Sequence, residues 1–162
     1  MTLLIATHAF AASSAWLLGA WQVFASTKGD GRHRLVGRVW VGLALYVAVS
    51  SFWMKELRPG QFSLLHILSV VTIVSVILGI FAARRGNIRA HQGDMIGPWI
   101  GMTFAGIFAF AIPERDLPTF IVTDPVGALA AAVAVIVASA TVLGLSRLLV
   151  REGMEDPASV RE

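Results

Sequence analysis

The chain has 162 residues and no cysteine. That excludes disulfides, iron–sulfur ligation, thiolate catalysis and covalent c-type haem attachment. Charge is scarce too: Asp, Glu, Lys and Arg make up 14% of the residues, against roughly 25% in a soluble domain. The sequence contains no P-loop, no Ser–His–Asp set and no paired carboxylates within its apolar runs, so it gives no sign of phosphate-loop chemistry, triad hydrolysis or carboxylate-driven proton coupling. What it does contain is apolar: 56% hydrophobic residues and a mean hydropathy of +0.74. These residues come in runs, not in alternating or heptad patterns, which points to transmembrane helices.

Five spans are expected, over residues 2–25, 37–54, 62–83, 95–112 and 126–146, each near the ~20 residues that cross a bilayer. The fold class is therefore all-α, an integral membrane helical bundle. It forms one transmembrane domain over residues 1–151, followed by a short polar tail over 152–162. The first run lacks a basic leader and is too long for a signal-peptide core, so it reads as a retained membrane helix. A pI near 10.2 would suit nucleic acid, but the basic residues cluster in the connectors. Ten (Lys28, Arg32, Arg34, Arg38, Arg84, Arg85, Arg89, Arg147, Arg151 and Arg161) fall on one side and three (Lys55, Arg58 and Arg115) on the other. By the positive-inside rule the N-terminus is outside and the C-terminus cytoplasmic. The expected partner is the lipid bilayer, with a membrane-protein partner or a second copy besides, and no nucleic acid. Pro59-Gly60 predicts the turn before the third span. Asp124-Pro125 predicts the N-cap and first residue of the fifth, and Pro113 and Pro118 bound the outer loop after the fourth.

The chain has four histidines, and histidine is a common ligand of metals and haem iron. They form two pairs of equal spacing, His8 with His33 and His66 with His91. Lys28-Gly29-Asp30-Gly31-Arg32-His33 before Val39-Trp40-Val41-Gly42 is echoed by Arg85-Gly86-Asn87-Ile88-Arg89-Ala90-His91 before Pro98-Trp99-Ile100-Gly101. Leu18-Gly19 and Leu78-Gly79 echo each other as well. The first four helices thus read as a duplicated two-helix unit, with the fifth an addition; similar basic turns before apolar helices are the simpler explanation.

His8 and His66 fall near the outer ends of the first and third spans, at matched depth. Ala11, Ala12, Ala15 and Gly19 share the face of His8, and Ser69 follows His66, leaving room for close helix approach or a flat macrocycle. Asp30 and Asn87 are expected N-caps that put His33 and His91 in the first turns of the second and fourth helices. There Arg32, Arg34 and Arg89 suit propionates, a quinone oxygen or a lipid phosphate. By helix rise the outer and inner pairs lie more than ~20 Å apart, too far to share one ion. Two b-type haems stacked across the bilayer are one reading. A single outer haem with quinone at the inner pair is another, and zinc or copper on imidazoles is a third. Interfacial histidines that merely meet headgroups or a carbonyl are the plain alternative.

The remaining motifs read as packing: the stripe of Gly97, Gly101, Ala105 and Ala109, then Gly127 and Ala131 in the last span. Trp16 lies deeper than an interfacial anchor and is expected in the core rather than lining a pocket. Met95 and Met102 fill gaps rather than ligate, and Asp94 caps a helix start.

Arg32-His33-Arg34-Leu35-Val36-Gly37-Arg38-Val39-Trp40-Val41, Leu65-His66-Ile67-Leu68-Ser69 and Ala82-Ala83-Arg84-Arg85-Gly86-Asn87-Ile88-Arg89-Ala90-His91, with Met95 after it, resemble a family of bacterial predicted multi-pass membrane proteins, domain of unknown function 2306. The resemblance implies a protein of the bacterial cytoplasmic membrane and no settled activity. The arrangement is also similar to di-haem b-type cytochromes of the b561 type, which would imply two haems on four helix histidines. The leading expectation is a haem-binding membrane protein that moves electrons to or from quinone or a partner, as the cytochrome component of an oxidoreductase does. His8, His66, His33 and His91 would be its iron ligands. A non-catalytic subunit or assembly factor, and a small-molecule carrier or sensor, are the alternatives.

Overall fold

The computed structural model describes residues 2–54, 64–113 and 115–155. Among them are α1 (Leu3–Phe24), α2 (Gly31–Ser50) continued by a 3-10 turn (Ser51–Trp53), α3 (Leu64–Arg84), α4 (Ile88–Ala111), a short α5 (Asp116–Thr123) and α6 (Pro125–Glu155). Five of these helical stretches are long and apolar enough to cross a membrane. Helices suit that solvent because they satisfy their backbone polar groups internally. The first four close a ring in which α1 packs on α2, α2 on α3, α3 on α4 and α4 back on α1. α6 lies outside it against α1 and α2, and α5 leads from α4 to α6. One end of the bundle carries the α1–α2 and α3–α4 connections and the C-terminal part of α6. The other carries the start of α1, the end of α2, the start of α3 and α5.

Helix starts follow the expected caps. The Asp30 side chain accepts from the His33 N–H at 2.6 Å, Asn87 accepts from Ala90 at 3.2 Å, and Asp124 accepts from Gly127 at 2.9 Å. Because these caps precede the apolar runs, α2 and α4 begin six and seven residues before the spans expected at 37 and 95. The two connections share a further detail. Gly29 (φ 81°) and Gly86 (φ 73°) both adopt the left-handed conformation directly before the capping Asp or Asn, a conformation that costs glycine little. At α3 this closes a Schellman turn, with Asn87 N–H on Ala82 O and Gly86 N–H on Ala83 O. At α1 the Lys28 ammonium donates to the carbonyls of Gln22 and Val23, supplying a cation at the helix C-terminus. The echo between the halves is therefore one of backbone conformation as well as of letters.

Two boundaries differ from expectation. The loop bounded by Pro113 and Pro118 contains α5, in which Pro118 occupies the first turn, where a helix has no use for the missing N–H. α6 continues to Glu155, into the stretch read as polar tail. The turn expected at Pro59-Gly60 lies outside the described residues.

The core consists of Ala15, Leu18, Val36, Trp40, Ala44 and Val76, flanked by Met95, Trp99 and Met102. Small residues set the helix spacing. A Cβ on Gly79 would sit 2.7 Å from Met95 Cε, and one on Gly101 2.7 Å from Leu68 Cδ1. At Gly19 it would meet Trp99 Cδ1 at 2.4 Å and Trp40 Nε1 at 2.7 Å. Two indoles that the repeat equates thus close on one glycine. The α4 and α6 spans have the smallest buried shares, 6% and 11% against 28–33% for the others, so most of their side chains face outward from this chain.

Gly19→Ala is expected to destabilise the detergent-solubilised protein by about 1–3 kcal/mol through overpacking. Gly42→Ala, whose Cβ would meet nothing within 4 Å, should be neutral or slightly stabilising, since alanine favours a helix over glycine by about 1 kcal/mol. Thermal melts of the two variants check the contrast.

Candidate functional site

At the end of the bundle that carries α5, a cavity of about 1490 Å³ opens between the helices. It exceeds the ~300–1,000 Å³ of ordinary ligand pockets, and its lining is mainly apolar. His8 and His66 both line it, as their matched depth predicted. His66 is buried, 6% exposed, with the Phe52 ring tilted against it at 5.8 Å. His8 is half-buried, and its Nδ1 lies 2.8 Å from Ser50 Oγ. Ser50 Oγ also lies 3.2 Å from Val47 O, so this one hydroxyl pairs with both the imidazole and the backbone. Both histidines therefore stand against one short stretch, Ser50–Phe52, where α2 ends.

The space is made by small side chains. Ala12 of α1, Ala48 of α2, Ala105 and Ala109 of α4, and Ala131 and Ala132 of α6 all face it. This divides the stripes read as packing faces. Gly101 does pack closely, on Leu68, whereas Ala105, Ala109 and Ala131 line a void. The face of His8 is divided likewise, with Ala11 and Ala15 buried in the bundle and Ala12 on the cavity wall. Trp16 also lines the cavity, contrary to its expected place in the core. It is fixed there by Nε1 donating to Thr103 Oγ1 at 3.0 Å and by a stack on Trp99 (6.3 Å, 18°). Trp99 in turn donates to Trp16 O at 3.0 Å. The hydroxyls of Ser51 and Ser69 lie 2.6 Å apart and tie α2 to α3 at the cavity wall.

At the opposite end the structure brings His33 and His91 together, with ring centroids 6.4 Å apart and planes at 79°. His91 Nδ1 bonds Gly79 O at 3.0 Å. A carbonyl only accepts, so Nδ1 carries the hydrogen and a neutral ring keeps its lone pair on Nε2. His33 Nδ1 lies 3.1 Å from Ser26 Oγ, which also lies 2.9 Å from Gln22 O. Of the three arginines expected here, Arg32 packs over the Trp21 ring at 5.1 Å and reaches Ser146 of α6, while Arg34 and Arg89 are exposed. Met95 packs on Gly79 next to Asp94, and Met102 lines the outer cavity. Among the described residues no three His, Asp or Glu side chains gather as a metal cage, so the fold offers histidines in twos.

Sequence reasoning missed Arg115. Its position between two prolines read as loop, yet it begins α5, lines the cavity and packs over the Phe108 ring at 5.8 Å. The available signal was an isolated cation on the side of the chain poor in basic residues.

The family model of DUF2306, a predicted membrane protein, matches residues 5–147, and the chain belongs to that family. No curated protein and no solved structure matches it.

Proposed function

We propose that this DUF2306 protein is an integral-membrane b-type haem protein that moves electrons across the bacterial cytoplasmic membrane, with quinone or a partner protein as donor or acceptor. The observation that carries the reading is His8 and His66, on different helices, lining one large apolar cavity. A haem iron needs only two ligands from the protein, because the macrocycle supplies the rest, and that matches a fold whose histidines come in twos. The cavity is large and lined by alanines, which suits a flat apolar ring. Ser50 Oγ holds His8 Nδ1 at 2.8 Å and so orients the ring; accepting the Nδ1–H there would leave Nε2 to ligate. When bound, haem would supply one-electron chemistry through its iron. The chain's own contribution is to orient the imidazoles, to surround the ring with apolar walls that keep water away, and to set the dielectric that tunes its potential.

In the same reading His33 and His91, whose ring centroids lie 6.4 Å apart, would be the residues that hold a second haem at the opposite end. Gly79 O and Ser26 Oγ anchor their Nδ1 atoms as Ser50 anchors that of His8. Quinone at this pair is the alternative occupant: in its reduced, quinol form its hydroxyls would donate to the Nε2 lone pairs.

The basic end of the bundle is placed on the cytoplasmic side. Since the natural chain lacks cysteine, single cysteines at Asn87 and Thr123 report this cleanly. The membrane-impermeant thiol reagent should label Thr123→Cys in intact cells and Asn87→Cys only after lysis; the reverse pattern overturns the orientation. For haem, the full-length protein purified with haem supplied should show a Soret band and a reduced α-band of b type. His66→Ala and His8→Ala should each remove most of the outer-site signal. A wild-type protein with no Soret band, or bands indifferent to both substitutions, overturns the reading.

A further inference from the structure

The outer cavity has a charged feature that the histidines do not explain. Arg115 Nη1 is buried and has no hydrogen-bond partner among the described residues, although the residue lines a cavity whose walls are mainly apolar. A guanidinium stays charged at any physiological pH, and a buried cationic N–H without an acceptor is costly. The position is well defined nonetheless. The Arg115 backbone N–H bonds Ile112 O at 3.1 Å, and its guanidinium packs over Phe108 at 5.8 Å. Leu117 and Phe120 of α5 continue the same wall as apolar surface. The cavity thus joins a fixed cation to a large apolar volume, at the same end of the bundle as His8 and His66.

We infer that the cavity takes an apolar molecule bearing a carboxylate, and that Arg115 receives that carboxylate. The planar fork of a guanidinium matches a carboxylate through two parallel N–H···O bonds, and the apolar body is left to the alanine-lined space. A haem propionate meets this description, and so does a long-chain fatty acid. The inference rests on the cavity being the ligand site proposed above, and it does not require that ligand to be haem. Asp116 also lines the cavity. Its negative charge opposes an incoming carboxylate, so the two neighbours have opposite expected effects.

The test uses full-length protein in detergent, with four probes: haem, haem dimethyl ester, palmitate and methyl palmitate. Wild-type protein should bind at least one acid about tenfold to a hundredfold more tightly than its ester, the range expected of a charge-assisted pair. Arg115→Gln should abolish that preference while leaving ester affinity unchanged and without lowering the thermal melt. Arg115→Lys should retain part of it, and Asp116→Asn should maintain or increase it. Equal binding of both acids and their esters by wild-type protein, or an acid preference that survives in Arg115→Gln, overturns the inference. If haem fails to bind but palmitate shows the Arg115-dependent preference, the inference stands and the haem reading falls. If haem binds through His8 and His66 but neither acid is preferred to its ester, the haem reading stands and the inference falls.

Discussion

Gly19 lies where the indoles of Trp40 and Trp99 converge from two different helices, and the arrangement of the bundle depends on that contact. With no side chain at this position, α2 and α4 both close on α1, and the ring of four helices is complete at mid-depth. Toward the α5 end the small residues have no such partner. Ala12, Ala48, Ala105 and Ala109 leave the volume open instead of drawing backbones together. Small residues thus seal the bundle at one level and hollow it at the next, and the difference is whether a large side chain faces them.

Hydrocarbon imposes the second constraint, because a polar group inside it must find a partner within the protein. Many hydroxyls here solve this locally by bonding a carbonyl three or four residues back, as Thr7, Ser50, Ser69, Thr103 and Ser146 do. Ser50 and Ser26 also reach another helix, where each Oγ pairs with a histidine Nδ1. At His91 the Nδ1 partner is a backbone carbonyl, which only accepts, so there Nδ1 carries the hydrogen.

The parts legible in the sequence were those that depend on local chemistry. Run length gave five spans, and short polar side chains before helical segments gave the caps at Asp30, Asn87 and Asp124. Helix order and depth gave the regrouping of the histidines that the fold shows: His33 beside His91, and His8 with His66 on one cavity. The parts that were not legible depend on what faces what across helices. Gly101 and Ala105 lie on one stripe of α4, yet one packs on Leu68 and the other borders a void. Trp16 and Trp40 are both tryptophans within apolar runs, yet one lines the cavity and the other is buried in the core. Arg32 looked like a partner for an anion beside His33 but turns toward Trp21 and Ser146. Arg115 looked like loop and is part of the cavity wall. Residue identity does not fix these outcomes; the placement of α5 and α6 does, and neither placement follows from periodicity.

The central claim is that His8 and His66 act together on one iron in the outer cavity. Electron paramagnetic resonance of the oxidised, haem-loaded protein tests it most directly. The account predicts a low-spin signal of bis-imidazole type for the outer site. That signal should turn high-spin in His66→Gly and return when free imidazole is added to occupy the vacated space. A haem signal that is the same in wild-type protein, His8→Gly and His66→Gly would contradict the account.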